Sequence, residues 1–253
     1  MLAEERQNAI VAQVNEKGSV LVKNLSKEFQ VTEDSIRKDL TLLEKKGLLK
    51  KTYGGAVKVR VNVHDFYVSH RKERNIEDKQ KIAKKAMELI QEGDMIFLDI
   101  STSNLELAKL LLKSDWNVTV VTNMIEIMLL FMNESKVKLI FIGGNMSSAK
   151  EGFVGALTNQ ELEKYRFDKV FMGVVGVDLE ENRVATYDAE DASTKSAILK
   201  AGNKAYMMVE TRKFNAEGNC KYAKVSDFTG AILDHEPDLS VKKVMKKYEI
   251  DWL

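Results

Sequence analysis

Apolar positions in the first sixty residues recur at helical spacing in three short runs: Ile10 with Val14, Leu25 with Phe29, and Ile36 with Leu40 and Leu43. None of these runs can bury much surface alone, so the three helices they predict must pack on one another. Only "FQVTED" separates the second from the third, with Thr32 placed as an N-cap and Glu33 and Asp34 in the first turn, where acids complement the helix dipole. Next, "LLKKTYGGAVKV" predicts two short strands around a Gly54-Gly55 turn. Short helix, tight turn, capped helix and hairpin is the order of a winged helix-turn-helix.

Residues 59 to 78, "VRVNVHDFYVSHRKERNIED", hold no sustained period and read as a connector with an apolar patch from His64 to Tyr67. From Lys79 the pattern becomes helices alternating with short, continuously apolar runs: "MIFLD" (95–99), "VTVVT" (118–122), "KLIFI" (138–142), "KVFMG" (169–173), "AYMMV" (205–209) and "GAILD" (230–234). Amphipathic stretches at 79–91, 105–113 and 124–133 separate the early ones. Runs that are apolar on both faces belong to a sheet covered on both sides, which predicts an open, largely parallel α/β sheet. The expected organisation is a winged helix-turn-helix over 1–58, a connector over 59–78 and an α/β domain over 79–253.

Composition sharpens this division. The chain of 253 residues has a net charge of +1, but residues 1 to 60 carry +4 and the remainder −3. The basic share sits in the helix-turn-helix segment, which points to nucleic acid. One cysteine, Cys220, excludes an internal disulfide and a thiolate metal cluster. With an N-terminus of "MLAEERQNAI" and no apolar run of membrane-spanning length, the protein is expected to be cytoplasmic, with no membrane partner. Neither a metal nor a cofactor is called for, and His64 and His70, without further ligands nearby, read as surface residues.

On a helical projection of about 100° per residue, Ile36, Leu40 and Leu43 share one face. Lys38, Thr41 and Lys45 lie opposite, flanked by Ser35 and Arg37, and the hairpin adds Lys50, Lys51 and Lys58. A basic face is most often only solvated, but in this order of elements it becomes a candidate surface for double-stranded DNA.

In an open α/β sheet ligands bind beyond the carboxyl ends of the strands. After "MIFLD" comes "ISTSN" at a helix start, after "VTVVT" comes Asn123, and after "KLIFI" comes "GGN". Ser101, Thr102 and Ser103 could be N-caps and no more, or could hold a phosphate with their hydroxyls and backbone N–H groups. Gly143 and Gly144 suit a tight turn, and Lys195 and Lys213 follow later strands.

These residues carry a resemblance. The segment from "ERQNAIVAQ" to "KKTYGGAV" resembles the DNA-binding domain of the DeoR family of bacterial transcription regulators. "KQKIAKKA", "FLDISTS", "VVTN", "IGGN", "FDKVFMGVVGVD" and the Lys213-Phe214 pair resemble that family's sensor domain, itself similar to ribose-phosphate isomerases. The resemblance implies a third helix that enters the major groove and a sensor that binds a phosphorylated sugar or related effector. It implies effector contacts at Lys79, Asp99, Ser101, Thr102, Ser103, Asn123, Gly143, Gly144, Asp178, Lys195 and Lys213. Departures from the family pattern are Lys38 for a second Arg, Ser101 for Gly, Glu210 for Asp and Arg212 for Ser. Arg37 keeps the planar fork suited to guanine, whereas Lys38 suits phosphate.

The leading expectation is therefore a sequence-specific DNA-binding regulator of sugar-metabolism genes, homo-oligomeric and no enzyme, repression being the commoner outcome in the family. Its rival is an isomerase-like enzyme with an added DNA-binding domain, using Asp178 as base. The rival is weakened because "LEENRVATYDAEDASTK" has no glycine-rich loop and Glu190 and Lys195 read as helix-surface residues. A third reading, a winged helix that binds protein, is disfavoured by the basic hairpin.

Overall fold

The computed structural model describes residues 3–45, 48–57, 74–132, 136–214 and 216–253, in two compact units, one within residues 1–62 and one within residues 63–253. Lys58, His64, His70 and the connector before residue 74 lie outside the described residues.

In the first unit α1 (Ala3–Lys17), α2 (Val22–Glu28) and α3 (Glu33–Lys45) pack around Ile10, Val14, Leu25, Ile36, Leu40 and Leu43. Each apolar residue of the sequence pattern lies in this core or, in the case of Phe29, against it. Three short strands, β1 (Ser19–Leu21), β2 (Lys50–Thr52) and β3 (Gly55–Val57), form an antiparallel sheet in the order β1-β3-β2. The hairpin differs from expectation. Thr52 pairs with Gly55, so the turn is Tyr53-Gly54 and Gly55 is already strand. The two glycines have different reasons: Gly54 adopts φ +87°, and a Cβ on Gly55 would lie 2.0 Å from the Val20 carbonyl oxygen of β1.

The second unit is built on a parallel sheet of β4 (Met95–Leu98), β5 (Thr119–Thr122), β6 (Lys138–Phe141), β9 (Phe167–Gly173), β12 (Gly202–Val209), β14 (Gly230–Leu233) and β15 (Asp251–Trp252). Its order is β15-β14-β12-β9-β4-β5-β6, every pair parallel. Neighbours in a strand alternate between two cores: Phe97, Val170, Met172, Met207 and Leu233 face one side, and Ile96, Leu98, Phe171, Met208 and Ile232 the other. Helices α4 (Ile76–Leu89), α5 (Thr102–Leu112) and α6 (Ile125–Phe131) cover the second face. The first is covered by α7 (Ala156–Leu162), α8 (Ala189–Ala201) and α9 (Leu239–Lys247). Coverage of both faces is why the strand sequences are continuously apolar. Helix α4 starts three residues before Lys79, so residues 76–78 form its first turn rather than connector.

Short strands unforeseen from the pattern complete the unit: the pair β7 (Asn145–Met146) and β8 (Phe153–Val154), and a small antiparallel sheet of β10 (Gly176–Asp178), β11 (Arg183–Thr186) and β13 (Cys220–Ala223). In the main sheet the chain runs outward from β4 through β5 to β6, then returns to β9 on the other side of β4. The order reverses between β4 and β9, and the crevice at that switch point is where such sheets bind ligands.

Candidate functional site

On α3, Thr32 caps the helix by accepting from Ser35 N at 3.2 Å, as its position predicts. Ser35 is half-buried, its Oγ 2.9 Å from Thr32 Oγ1, while Lys38, Lys45 and, on β2, Lys50 are exposed. Arg37 lies on the exposed face and donates through Nη1 to Asp34 at 2.7 Å and through Nη2 to Glu33 at 2.6 Å. Thr41 links helix and hairpin: its hydroxyl donates to the Arg37 carbonyl and accepts from Lys51 Nζ, both at 2.7 Å. Lys51 N also donates to Glu44 at 2.8 Å. Wing and third helix thus form one continuous surface. Behind it, Asp39 is buried and accepts from Arg6 Nε at 2.7 Å and Gln7 Nε2 at 2.8 Å, fixing α3 to α1. Tyr53, fully exposed at the tip of the wing, joins the candidate face without having been singled out from sequence. The available signal was an aromatic residue beside the glycines of a Lys-flanked hairpin.

At the β4–β9 switch point Asp99 follows β4 and turns back across the crevice. Its Oδ1 accepts from Asn104 Nδ2 at 2.6 Å and from Gly173 N at 2.9 Å, and its Oδ2 is paired with Lys195. Lys195 also donates to the Gly173 carbonyl at 3.1 Å and is buried, which corrects its reading as a helix-surface residue. The reason is that α8 turns Lys195 inward together with Ala192, Thr194, Ile198 and Ala201, and its charge is matched by Asp99.

Ser101 caps α5, accepting from Asn104 N at 3.1 Å, and its Cβ sits where a side chain on Gly173 would stand, 2.2 Å from that ideal Cβ. Thr102, Ser103 and Asn104 are buried in the first turn. The side-chain oxygens of Asn104 and Asn123 are buried with no protein partner among the described residues. Asn123 is oriented by donating to the Phe153 carbonyl at 2.8 Å.

Around this pair lie groups that sequence reading did not identify. Burial pushes the Asp191 carboxyl up, Lys195 opposing it, and Asp191 accepts from Thr186 Oγ1. The Tyr222 hydroxyl is driven well above its ordinary value by burial and then by the charges of Asp99 and Asp191, and its ring lies 5.6 Å below Lys195 Nζ. No local pattern marks these contacts, because they join distant parts of the chain.

Other candidates are spread more widely. Lys213 donates to the Val174 carbonyl at 2.8 Å and lies 3.3 Å from Glu210, so it borders the Gly173 side of the crevice. Burial of Glu210 acts to raise its pKa, but Lys213, Arg212 and Asn75 outweigh that and hold it at about 2. Gly143 accepts from Thr158 Oγ1 at 3.0 Å, and Gly144 has φ +148° with its ideal Cβ 2.1 Å from that hydroxyl, so both fix the third strand end to α7. Lys79 is buried with Nζ on the Arg74 carbonyl at 2.7 Å, and Asp178 caps the β10–β11 turn by accepting from Glu181 N at 2.9 Å. The structure therefore gathers Asp99, Ser101 and Lys195, with Lys213 at the margin, and engages Lys79 and Asp178 elsewhere. Asp78, Asp234 and His235 come close enough to hold a cation, but the Lys81 ammonium already stands 3.1 Å from Asp78 and 3.0 Å from His235.

Among the described residues no helix is long and apolar enough to cross a membrane. Comparison with known proteins agrees with both units. Residues 6–60 match the DeoR-like helix-turn-helix domain and residues 74–235 the DeoR C-terminal sensor domain. The chain is 32% identical over 253 residues to the lactose phosphotransferase system repressor of Streptococcus mutans, covering 99% of each chain. It is 30% identical over 250 residues to the uncharacterized HTH-type transcriptional regulator YulB of Bacillus subtilis, covering 99% of this chain and 96% of that one. Among solved structures, eIF2B delta from Chaetomium thermophilum aligns with a TM-score of 0.46 at 19% identity, over 65% of this chain and 58% of its own. Ribose 5-phosphate isomerase A from Methanocaldococcus jannaschii aligns with a TM-score of 0.42 at 17% identity over 56% of each chain. A sensor-domain match spanning more than half the chain, joined to a helix-turn-helix match and full-length relatives, shows that the chain belongs to the DeoR family of transcription regulators.

Proposed function

We propose that the protein represses sugar-metabolism genes by binding operator DNA through α3 and the wing, and that a phosphorylated sugar or related metabolite bound at the β4–β9 crevice alters that binding. The observation that carries the DNA reading is the Lys51–Thr41 hydrogen bond, which makes wing and helix one surface bearing Arg37, Lys38, Lys45 and Lys50. Relatives named lactose phosphotransferase system repressors support the link to sugar genes and to repression. For the effector, the start of α5 supplies hydroxyls and a helix N-terminus suited to a phosphate. Lys195, already matched by Asp99, is assigned to the sugar hydroxyls rather than to the phosphate. A homo-oligomer, in which paired reading heads raise affinity through effective concentration, completes the proposal.

An enzymatic reading is disfavoured by the same geometry. Asp178 caps a turn through Oδ1, and the oxygens of Asp99 accept from Asn104, Gly173 and Lys195, so both carboxylates serve structural contacts. The test is selection of duplexes from a random pool by the full-length protein. Release of the selected duplex by hexose and pentose phosphates is then measured with unphosphorylated sugars as controls, beside a coupled isomerase assay. Selection of one sequence, release by a phosphorylated sugar only and no turnover are expected; turnover without selection overturns the proposal.

A further inference from the structure

Three buried polar atoms around the switch-point crevice have no hydrogen-bond partner among the described residues: the side-chain oxygens of Asn104 and Asn123 and the hydroxyl of Tyr222. Buried polar groups are almost always paired, so three orphans about one buried ion pair point to a shared partner. Asn104 lies in the first turn of α5 and Asn123 follows β5, whereas Tyr222 arrives from β13 and sets its ring 5.6 Å from Lys195 Nζ. The phenol is held firmly. Its backbone carbonyl accepts from Ser196 Oγ of α8 at 2.7 Å, and its ring packs edge-on against Phe228. The nearby acids bond to other groups, Asp99 accepting from Asn104, Gly173 and Lys195, and Asp191 from Thr186.

We propose that Tyr222 is an effector-contacting residue whose hydroxyl donates to an uncharged oxygen of the bound metabolite, a sugar hydroxyl or carbonyl. This rests on the β4–β9 crevice being the effector site. Burial, and after it the charges of Asp99 and Asp191, keep the Tyr222 hydroxyl protonated and therefore a donor. The same acids repel a phosphate from this end, which leaves the phosphate to the start of α5. The orphan oxygens of Asn104 and Asn123 are acceptors and suit the protons of sugar hydroxyls. A polyol offers an oxygen to Tyr222 and protons to the two amides, whereas a bare phosphate offers mainly acceptors.

The experiment uses the full-length protein and the duplex it enriches from a random pool. Wild type, Tyr222→Phe and Thr102→Val are compared by urea unfolding, by affinity for that duplex, and by its release with a panel of pentose and hexose phosphates that includes ribose 5-phosphate and fructose 6-phosphate. Tyr222→Phe deletes an oxygen that bonds to nothing else in the protein, so its urea midpoint and its affinity for the duplex should match wild type. The sugar-phosphate concentration that releases half of the duplex should rise at least about fivefold. Release at the wild-type concentration overturns the inference, because the hydroxyl then meets water only. A weakened response of Thr102→Val in the same series would show that the effector site stands without Tyr222. A lower urea midpoint for Tyr222→Phe also overturns the inference, since the hydroxyl would then have a partner in the folded protein itself. Wild type unmoved by the whole panel removes the effector site and the role of Tyr222 together.

Discussion

Arg37 and its carboxylates on α3 leave 55%, 45% and 82% of their side chains in solvent, whereas Asp99 and Lys195 at the switch point leave 1% and 5%. Each arrangement pairs carboxylate with cation through hydrogen bonds, but water decides what the pair can do. On α3 the charges are screened, cost little to separate and can be exchanged for a ligand's groups. In the crevice each charge is the condition for burying the other, and around them even Asp191 is pushed toward its neutral form. A surface that reads DNA needs the first kind. A site that holds one geometry against an effector uses the second.

The largest expected effect tests that difference directly. Lys195→Ala leaves Asp99 buried with its Oδ2 unpaired and should destabilise the second unit by about 3–5 kcal/mol in urea unfolding. Lys38→Ala, on the exposed face of α3, should fall within about 0.5 kcal/mol of wild type. Equal costs would mean that water reaches the crevice pair as freely as it reaches α3.

Next is the phosphate cradle. Thr102→Val keeps side-chain volume in a buried first turn but removes a hydroxyl, so stability should hold. If the hydroxyl meets an effector phosphate, losing a hydrogen bond to a charged group costs about 1.5–3 kcal/mol, or roughly tenfold to a hundredfold in the sugar-phosphate concentration that releases DNA. A thermal-shift titration with sugar phosphates on both proteins checks this. An unaltered response would leave the "ISTSN" hydroxyls as caps only.

What the sequence revealed follows the same division. Strands β4, β9, β12 and β14 were legible because residues such as Phe97 and Leu98 face opposite cores and are both apolar. The exposed face of α3 was legible because Ile36, Leu40 and Leu43 fix the opposite side. Helix α8 was harder to read: Thr194 and Lys195 lie buried among Ala192, Ile198 and Ala201, so polar residues interrupt the apolar stripe of its inner face. β7, β8 and β10 are too short to show an alternation. Asp99 could be found because it ends a strand, but its partners Gly173 and Lys195 lie 74 and 96 residues away, and no local periodicity reports such contacts.

Glu210 is an intermediate case, buried by Asn75 and its own turn yet matched by cations at the margin. Its carboxyl is held at about 2, below its ordinary value near 4.5. A depressed pKa contributes stability that is complete above the ordinary value and is lost as pH falls through the acid range toward 2. Glu210→Gln should therefore be less stable than wild type by about 1–3 kcal/mol at pH about 6. The gap should narrow steadily below pH about 4.5, since wild type alone loses this contribution there. A gap independent of pH would show that packing, not charge, is what Glu210 supplies.

The smallest effect separates two roles for Lys51, whose ammonium is hydrogen-bonded to Thr41 at the junction of wing and third helix. This half-buried charge should pass from a hydroxyl to a phosphate at little cost, because the Thr41 hydroxyl remains bonded to the Arg37 carbonyl when Lys51 leaves. Lys51→Ala should then weaken selected and random duplexes alike, by about eightfold in about 0.1 M salt, and reduce the salt slope by about 0.9. Sequence preference should be unchanged, since a phosphate contact carries no base information. The contrary pattern, an unchanged slope with blurred preference, would mean that Lys51 stays on Thr41 in the complex and serves to hold the wing against α3. Part of the small unit would then use a fixed polar contact as the switch-point crevice does, and the contrast between the two units would hold for Arg37 but not for the wing.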